Sequence, residues 1–480
     1  MIGAHGSWQG FGFLLISVLA MVSIFFVGGC GDDDDDDSGT TDLPLITDDD
    51  TNDDDDTTDD DAADDDTADD DATDDDDDVT LSGIELSPSE LHLPVGAART
   101  LTATAVWSDD TRTTDEDFVF SVSDDTIVEA NTGGTTTALA RGEATVTASL
   151  GDFSADASVN VGAYVFAYDG IAGTLGALDP ETGDSIADYL ADEKDAILTI
   201  GSDLEIREGV AFLVESGDGV PGTVGTEGLV VVDLATKDVL NVLIEDLDNP
   251  WNVDMVGTTA YITGNFSNDL VVADLEADAS RAIDMPEDCV PTGVHVIGDR
   301  AFVACSGYDS GTFSYADPGI VAVVDLTDDS VSTIETTRVN PTVVAAGPDD
   351  DTIYIVCTGN FDDELGVIDV IDVSDESVAD SVAIGSAPGE LVLAANGTAF
   401  VADGFSGQVM TFDSDSLAVG ANVSIAGAFW VASLAYDPVT DRVLASDWTN
   451  AKIQVIDPDD LDVESSVDAA NASGVSVWTE

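Results

Sequence analysis

Cations are scarce in this chain: 11 Lys and Arg stand against 100 Asp and Glu in 480 residues, and the formal net charge is −89. A surface without cations cannot neutralise phosphates and release their counterions, which excludes nucleic acid and makes anionic lipid headgroups poor partners. Histidine is scarcer still, with only His5, His92 and His295, and their dispersal excludes a His-built zinc, copper or iron centre. No C-x-x-C-H run for haem, no G-x-S-x-G elbow and no D-x-[DN]-x-[DN]-G calcium loop with a distal Glu occurs. With no spare histidine, a Ser-His-Asp triad has nothing to be built from. No apolar run reaches the ~20 residues of a spanning helix, and the run Phe11–Val27 is shorter and sits near the N-terminus.

That run ends in small residues, as an export signal does. Val27-Gly28-Gly29-Cys30 resembles the lipobox of bacterial lipoproteins. The resemblance implies that residues 1–29 are a lipoprotein signal peptide and that Cys30 is acylated and becomes the first mature residue. One departure is that no Lys or Arg precedes the run, only His5. Residues 32–78 then hold 28 Asp among 47 residues, the rest mostly Thr and Ala. Like charges repel and little apolar surface can be buried, so residues 30–78 are expected to be the lipidated cysteine and a disordered tether. The tether reaches at most roughly 160 Å, and about 40 Å as a flexible coil. Acidic residues soon after the cysteine also resemble the export signals of some surface-displayed lipoproteins. The expected address is the outer membrane or cell surface, with the lipid as the only membrane contact. Residues 79–480 still carry 72 acidic against 11 basic side chains, a shell that suits a saline habitat because salt screens its self-repulsion.

Composition changes at Val79. Residues 79–161 show short alternating runs such as RTLTATAVW, ATVTASL and ASVNV, the pattern of a small β-sandwich. The opening GIELSPSELHLPVGAARTLTATAVWSDDTR, the SDDTIVEA stretch and ALARGEATVTA resemble the bacterial immunoglobulin-like group 2 domain. Phe120 stands where that family often has Trp. The resemblance implies a stalk or spacer, and residues 162–480 are expected to fold without it.

Residues 162–480 repeat themselves. Apolar strands ending in Asp recur at Asp179, Asp233, Asp274, Asp325, Asp372, Asp413 and Asp457, 41 to 54 residues apart. Seven units of about four short strands each predict a seven-bladed β-propeller, so the whole chain is expected to be all-β. A second phrase lies upstream of these strands, as in PTGVHVIGDRAFVACSG and PGELVLAANGTAFVADG, with Asn396-Gly397 as a hairpin turn. Together the phrases resemble the YVTN-type propeller repeats, although the signature tetrapeptide is eroded in every blade. The first blade lacks an inner strand, and the C-terminal SGVSVW is expected to supply it and close the ring.

Propeller topology places the loops between second and third strands, and the blade-to-blade connections, on one face. The longest second-to-third loops are SGDGVPGTVGTEG, SGYDSGTFSYADPG and TGNFDDELG, in blades two, four and five. The candidate binding rim is Trp251, Tyr308, Phe313, Tyr315, Phe361, Trp430 and Trp448, aromatics beside acidic groups that suit an extracellular protein, peptide or glycan. Of the cysteines beyond Cys30, Cys289 and Cys305 face each other across a strand pair and Cys357 holds the place of Cys305 one blade on. Two readings stand: a Cys289–Cys305 disulfide with Cys357 free, or separate buried thiols. No catalytic residue and no metal ligand set is singled out, and the chain is expected to be a monomer. The leading reading is a surface-anchored binding or scaffold lipoprotein without a cofactor. The alternative is a secreted propeller hydrolase or lactonase with a calcium–carboxylate centre on the propeller axis.

Overall fold

The computed structural model describes residues 79–480 apart from 163, 181, 184, 192–200, 217–226, 244–246, 278, 350, 470, 479 and 480. The signal, Cys30, the acidic tether and most of the long loop of blade two lie outside the described residues. Among the described residues there is no helix.

The first module, Leu81–Gly162, is a sandwich of three small sheets. Its alternating residues turn Leu86, Leu91, Leu93, Val146 and Val159 into one core, and Phe120 packs against it as the partly buried ring. Strand Glu90–Pro94 runs parallel to Phe153–Gly162, in register from Ser158 opposite Glu90 to Gly162 opposite Pro94.

Seven four-stranded antiparallel sheets complete the chain. Their inner strands are Gly201–Arg207, Pro250–Val256, Pro291–Ile297, Pro341–Ala346, Pro388–Leu393, Val431–Asp437 and Gly474–Trp478. Each touches the next around the ring, and the last touches Gly201–Arg207. Gly474–Trp478 pairs antiparallel with Tyr164–Asp169, Tyr164 opposite Trp478 and Tyr168 opposite Gly474. The C-terminus therefore completes the blade that the N-terminal end of the propeller begins, and each of the seven blades has its inner strand.

The repeated aspartates explain themselves at this level. Each ends a third strand and folds its carboxylate back onto the adjoining turn: Asp233 Oδ1 accepts from Ala235 N at 2.9 Å, Asp274 Oδ1 from Glu276 N at 3.0 Å, and Asp457 Oδ1 from Asp459 N at 2.9 Å. These are Asx-turns, in which a short acceptor side chain replaces a backbone acceptor. Hydrogen bonds from the Thr327, Ser374 and Ser416 hydroxyls, with the backbone donors of the turns behind them, hold the Asp325, Asp372 and Asp413 carboxyls below the usual range.

The two modules share a core. Strand Phe153–Gly162 runs into Tyr164–Asp169 with one residue between them. A single hydrophobic core contains Leu91 and Val159 of the sandwich with Phe166, Tyr189, Leu234 and Trp478 of the propeller. His92 N donates to Ala235 O at 3.2 Å, and the His92 ring lies edge-on to Tyr189 at 5.6 Å. Lys237 caps the Tyr189 ring, with Nζ 4.5 Å from its centroid. Arg141 pairs with Asp179, and Arg99 donates to Glu208 O at 3.0 Å. The joining side chains are scattered over stretches that each read as self-contained, so the contact between the modules has no signature in the sequence. The sandwich meets first-to-second and third-to-fourth strand turns of blades one and two, so it sits on the face opposite the long loops.

Candidate binding face

The long-loop face is stitched before any side chain is considered. Ser306 N and Gly307 N donate to Val290 O and Cys289 O, and Thr358 N and Gly359 N to Asn340 O and Val339 O. The end of each second strand is thus tied to the segment that leads into its own inner strand. In blade four the tie is also covalent: Cys289 and Cys305 form a disulfide with Cα atoms 4.5 Å apart. Cys357 is free and buried, and burial pushes its thiol pKa up. The disulfide closes the base of a loop that forms its own ribbon, Tyr308–Asp309 against Ser314–Tyr315. Asp309 folds that ribbon, accepting from Gly311 N at 2.8 Å and Thr312 Oγ1 at 2.6 Å, and these bonds hold its carboxyl below the usual range.

On this frame the aromatic rings form a continuous arc. Tyr308 lies 5.4 Å from Tyr315, Tyr315 6.3 Å from Phe361, Phe361 5.4 Å from Phe405, and Phe405 6.1 Å from Phe429, crossing from blade four to the start of blade seven. Trp430 and Trp448 pack at 5.0 Å at the far end. Phe429 N and Trp430 N both donate to Thr449 Oγ1, at 3.0 and 3.1 Å, which fixes that end to the loop of blade seven. Phe405 reaches Phe429 because Gly407 sits at φ +63°, where a Cβ would lie 2.0 Å from Ala428 O. Phe429 is 49 % exposed and Phe313, at the ribbon tip, 52 %. Phe313 and Phe361 both hold left-handed backbone, φ 55° and 61°, which costs a bulky residue roughly 1–2 kcal/mol and is kept only where the surroundings impose it.

Of the rings singled out from the sequence, Tyr308, Tyr315 and Phe361 belong to the arc, Trp430 and Trp448 pair at its end, and Phe313 caps the ribbon beside it. Trp251, half-buried in the first turn of its inner strand, makes no ring contact among the described residues. Phe405 and Phe429 were missed. Their loops are short, and only the Asp-Gly-Phe phrase ahead of Gln408 marks them.

The axis holds the second concentration of polar groups. Six of the inner strands carry a bulge directly after their first residue, which re-aims the next side chains sideways onto the neighbouring blade. Asp203 Oδ2 accepts from Val253 N at 3.1 Å and Asn252 Nδ2 at 2.6 Å; Asn252 Oδ1 in turn accepts from Val294 N at 2.9 Å. One step along the strands, Glu205 Oε2 accepts from Met255 N at 3.0 Å and Asp254 Oδ2 from Val296 N at 2.6 Å. Glu390 and Ser433 repeat the device for Leu434 N and Val475 N. At the matching position of blade four stands Gly293, where a Cβ would meet Val344 N at 2.8 Å. Side chains of one blade therefore satisfy strand-edge donors of the next, which sheet pairing leaves open.

Burial raises the Asp203, Glu205 and Glu390 carboxyls to about 6, about 8 and about 7, although backbone N–H donors, Arg207 and Ser433 oppose it. His295 Nδ1 lies 3.0 Å from Asp254 Oδ2. Among the described residues no group of three or more His, Cys, Asp or Glu side chains is arranged to hold a metal ion.

The fold and this face define an all-β chain in which a small immunoglobulin-like module carries a propeller with a loop-built aromatic rim. Residues 81–161 match the family of bacterial Ig-like domains, group 2. A quinonprotein alcohol dehydrogenase-like protein from Bacteroides thetaiotaomicron is similar in structure, at 14% identity and TM-score 0.52, over 81% of this chain and 96% of that one. A functionally unknown protein from Desulfotomaculum acetoxidans is similar at 12% identity and TM-score 0.51, over 65% and 98% of the two chains. At such identity the likeness is one of fold. Comparison with curated proteins returns no match.

Proposed function

We propose that this chain is a lipid-anchored surface protein whose propeller head is a binding or scaffold module for an extracellular partner. The aromatic arc carries the reading. Its rings converge from loops of successive blades onto one face, on loops tied down by hydrogen bonds and a disulfide, and one of them holds unfavourable backbone. Rings ordered in advance lose little entropy on binding, which is what a recognition surface requires. The sandwich docks on the opposite face, so a tether entering through it leaves the rim pointing away from the anchor. A screen of glycan and peptide arrays with the full chain tests the reading. Ligands found should lose at least tenfold in affinity on Tyr315→Ala with Phe361→Ala, and ligands held equally by that variant would place recognition elsewhere. The hydrolase alternative needs converging ligands on the axis, where carboxylate oxygens instead accept from backbone N–H groups of the next blade.

Anchoring rests on Val27-Gly28-Gly29-Cys30 and the acidic tract behind it. In a bacterial host that processes lipoproteins, Cys30→Ser should leave the chain unlipidated and move it from the detergent phase to the aqueous phase. Retention of labelled fatty acid by that variant would overturn the anchor. Lipoprotein maturation adds more than one acyl chain, and only then is anchoring firm, since a single chain binds membranes marginally.

A further inference from the structure

We infer that the rim receives an extended, cationic polypeptide segment, its Lys or Arg side chains set against the rings of the arc. The inference rests on the reading of the rim as a binding surface and adds the chemistry of the occupant. Shape is the first ground. The rings form a line across several blades rather than the walls of a cavity, with centroids 5.4 to 6.3 Å apart. An extended chain rises about 3.3 Å per residue, so alternate side chains on one face fall at roughly 7 Å, a similar spacing.

Charge complementarity is the second ground and selects the sign. The loops that bear the rings expose Asp309, Asp317, Asp362 and Asp363, and the connection into blade four exposes Glu287 and Asp288. Among the described residues the cations of this face are Lys452, paired with Asp468 Oδ1 at 2.7 Å, and Arg338, exposed with its guanidinium on Thr337 O at 2.8 Å, so the exposed carboxylates outnumber them. An anionic polymer is repelled here. A cation gains twice, from the carboxylates at long range and from the negative faces of the rings at contact.

The test uses an octapeptide of alternating Lys and Thr, its Gln-for-Lys counterpart, and neutral oligosaccharides. Each is titrated against the full chain at 0.15 M and 0.5 M salt. The acidic tether is common to every variant, so differences between variants report on the rim. The Lys peptide should bind and the Gln peptide should not. Phe361→Leu with Phe405→Leu keeps the apolar packing and the net charge but removes two ring faces, and should weaken the Lys peptide about tenfold. Asp325→Asn with Asp413→Asn, on the opposite face, should leave it unchanged. Equal affinity for intact chain and ring variant would mean that the peptide meets only a diffuse acidic surface, and would overturn the inference. An oligosaccharide that binds the intact chain and is lost with the rings, where the Lys peptide fails, would overturn the cationic occupant and keep the rim. Loss of neither on ring removal would end both readings.

Discussion

Deleting Gly474–Glu480 should leave a chain that no longer folds as a soluble monomer. The deleted strand pairs along its length with Tyr164–Asp169 and buries Val475 and Trp478, 5 % and 3 % exposed. A buried Trp alone is worth ~3–5 kcal/mol on truncation. With Val475 and the strand pairing the loss comes to roughly 5–10 kcal/mol, comparable to the whole stability of an ordinary domain. The cost is also topological, because an unpaired inner strand edge opens the ring to other chains. Size-exclusion chromatography and thermal unfolding read the outcome. A truncated protein that elutes as a monomer and melts within about 3 °C of the intact one would show that another segment closes the ring.

A second large effect comes from the axis: the protein should be most stable in mildly acidic solution and lose stability steadily from about pH 4 to pH 8. Asp203, Glu205 and Glu390 have carboxyl groups raised to between about 6 and about 8, whereas the unfolded chain titrates near 4. Across that window the native state holds more protons than the unfolded state. The stabilisation is complete below the unfolded value and is lost as pH rises through the native ones. For three groups the sum is on the order of 10 kcal/mol. Repulsion within the acidic shell acts with the same sign, but 1 M salt reduces the Debye length to ~3 Å and removes most of it. Denaturant unfolding at high salt therefore isolates the axis. There, Asp203→Asn with Glu205→Gln and Glu390→Gln should flatten the slope, and an unchanged slope would refute the assignment to these groups. Further down the scale the Asx carboxylates at Asp325, Asp372 and Asp413, held below the usual range, act with the opposite sign. Their contribution is present above the unfolded value and is lost as pH falls through the native one.

The legible part of the sequence was local. An apolar strand, an Asp and a turn form within ten residues, so the Asx-turn writes its signature at every blade, and seven signatures name the architecture. The closing strand was readable for a related reason: the first blade has three strands and SGVSVW has nowhere else to go. The axial carboxylates were not readable, because in a chain with 100 acidic residues no spacing separates Asp203 or Glu390 from a solvated neighbour. Only the bulge and the next blade's open N–H groups do. The arc was half readable. Tyr308, Tyr315 and Phe361 announce themselves in long loops, while Phe405 and Phe429 extend it only because adjacent blades bring short loops side by side. The joint between the modules was hidden for the same reason, since His92 meets Tyr189 directly and Trp478 by way of Tyr164, across distant stretches.

The parallel strand pair in the sandwich has a mechanical consequence. If the chain is anchored as proposed and a partner held at the rim is dragged by flow, tension enters the sandwich at its N-terminal end and leaves through Phe153–Gly162 into the head. The pull meets Leu81–Ser87 first, paired with Thr102–Trp107; behind it Glu90–Pro94 and the last residues of Phe153–Gly162 lie side by side in the same direction, so that pair is pulled in opposite senses along the strands. The load then falls as shear on all the hydrogen bonds between them at once, instead of peeling them singly. Beyond the spacer the same tension passes into Tyr164–Asp169, the strand that the C-terminal Gly474–Trp478 holds in the ring.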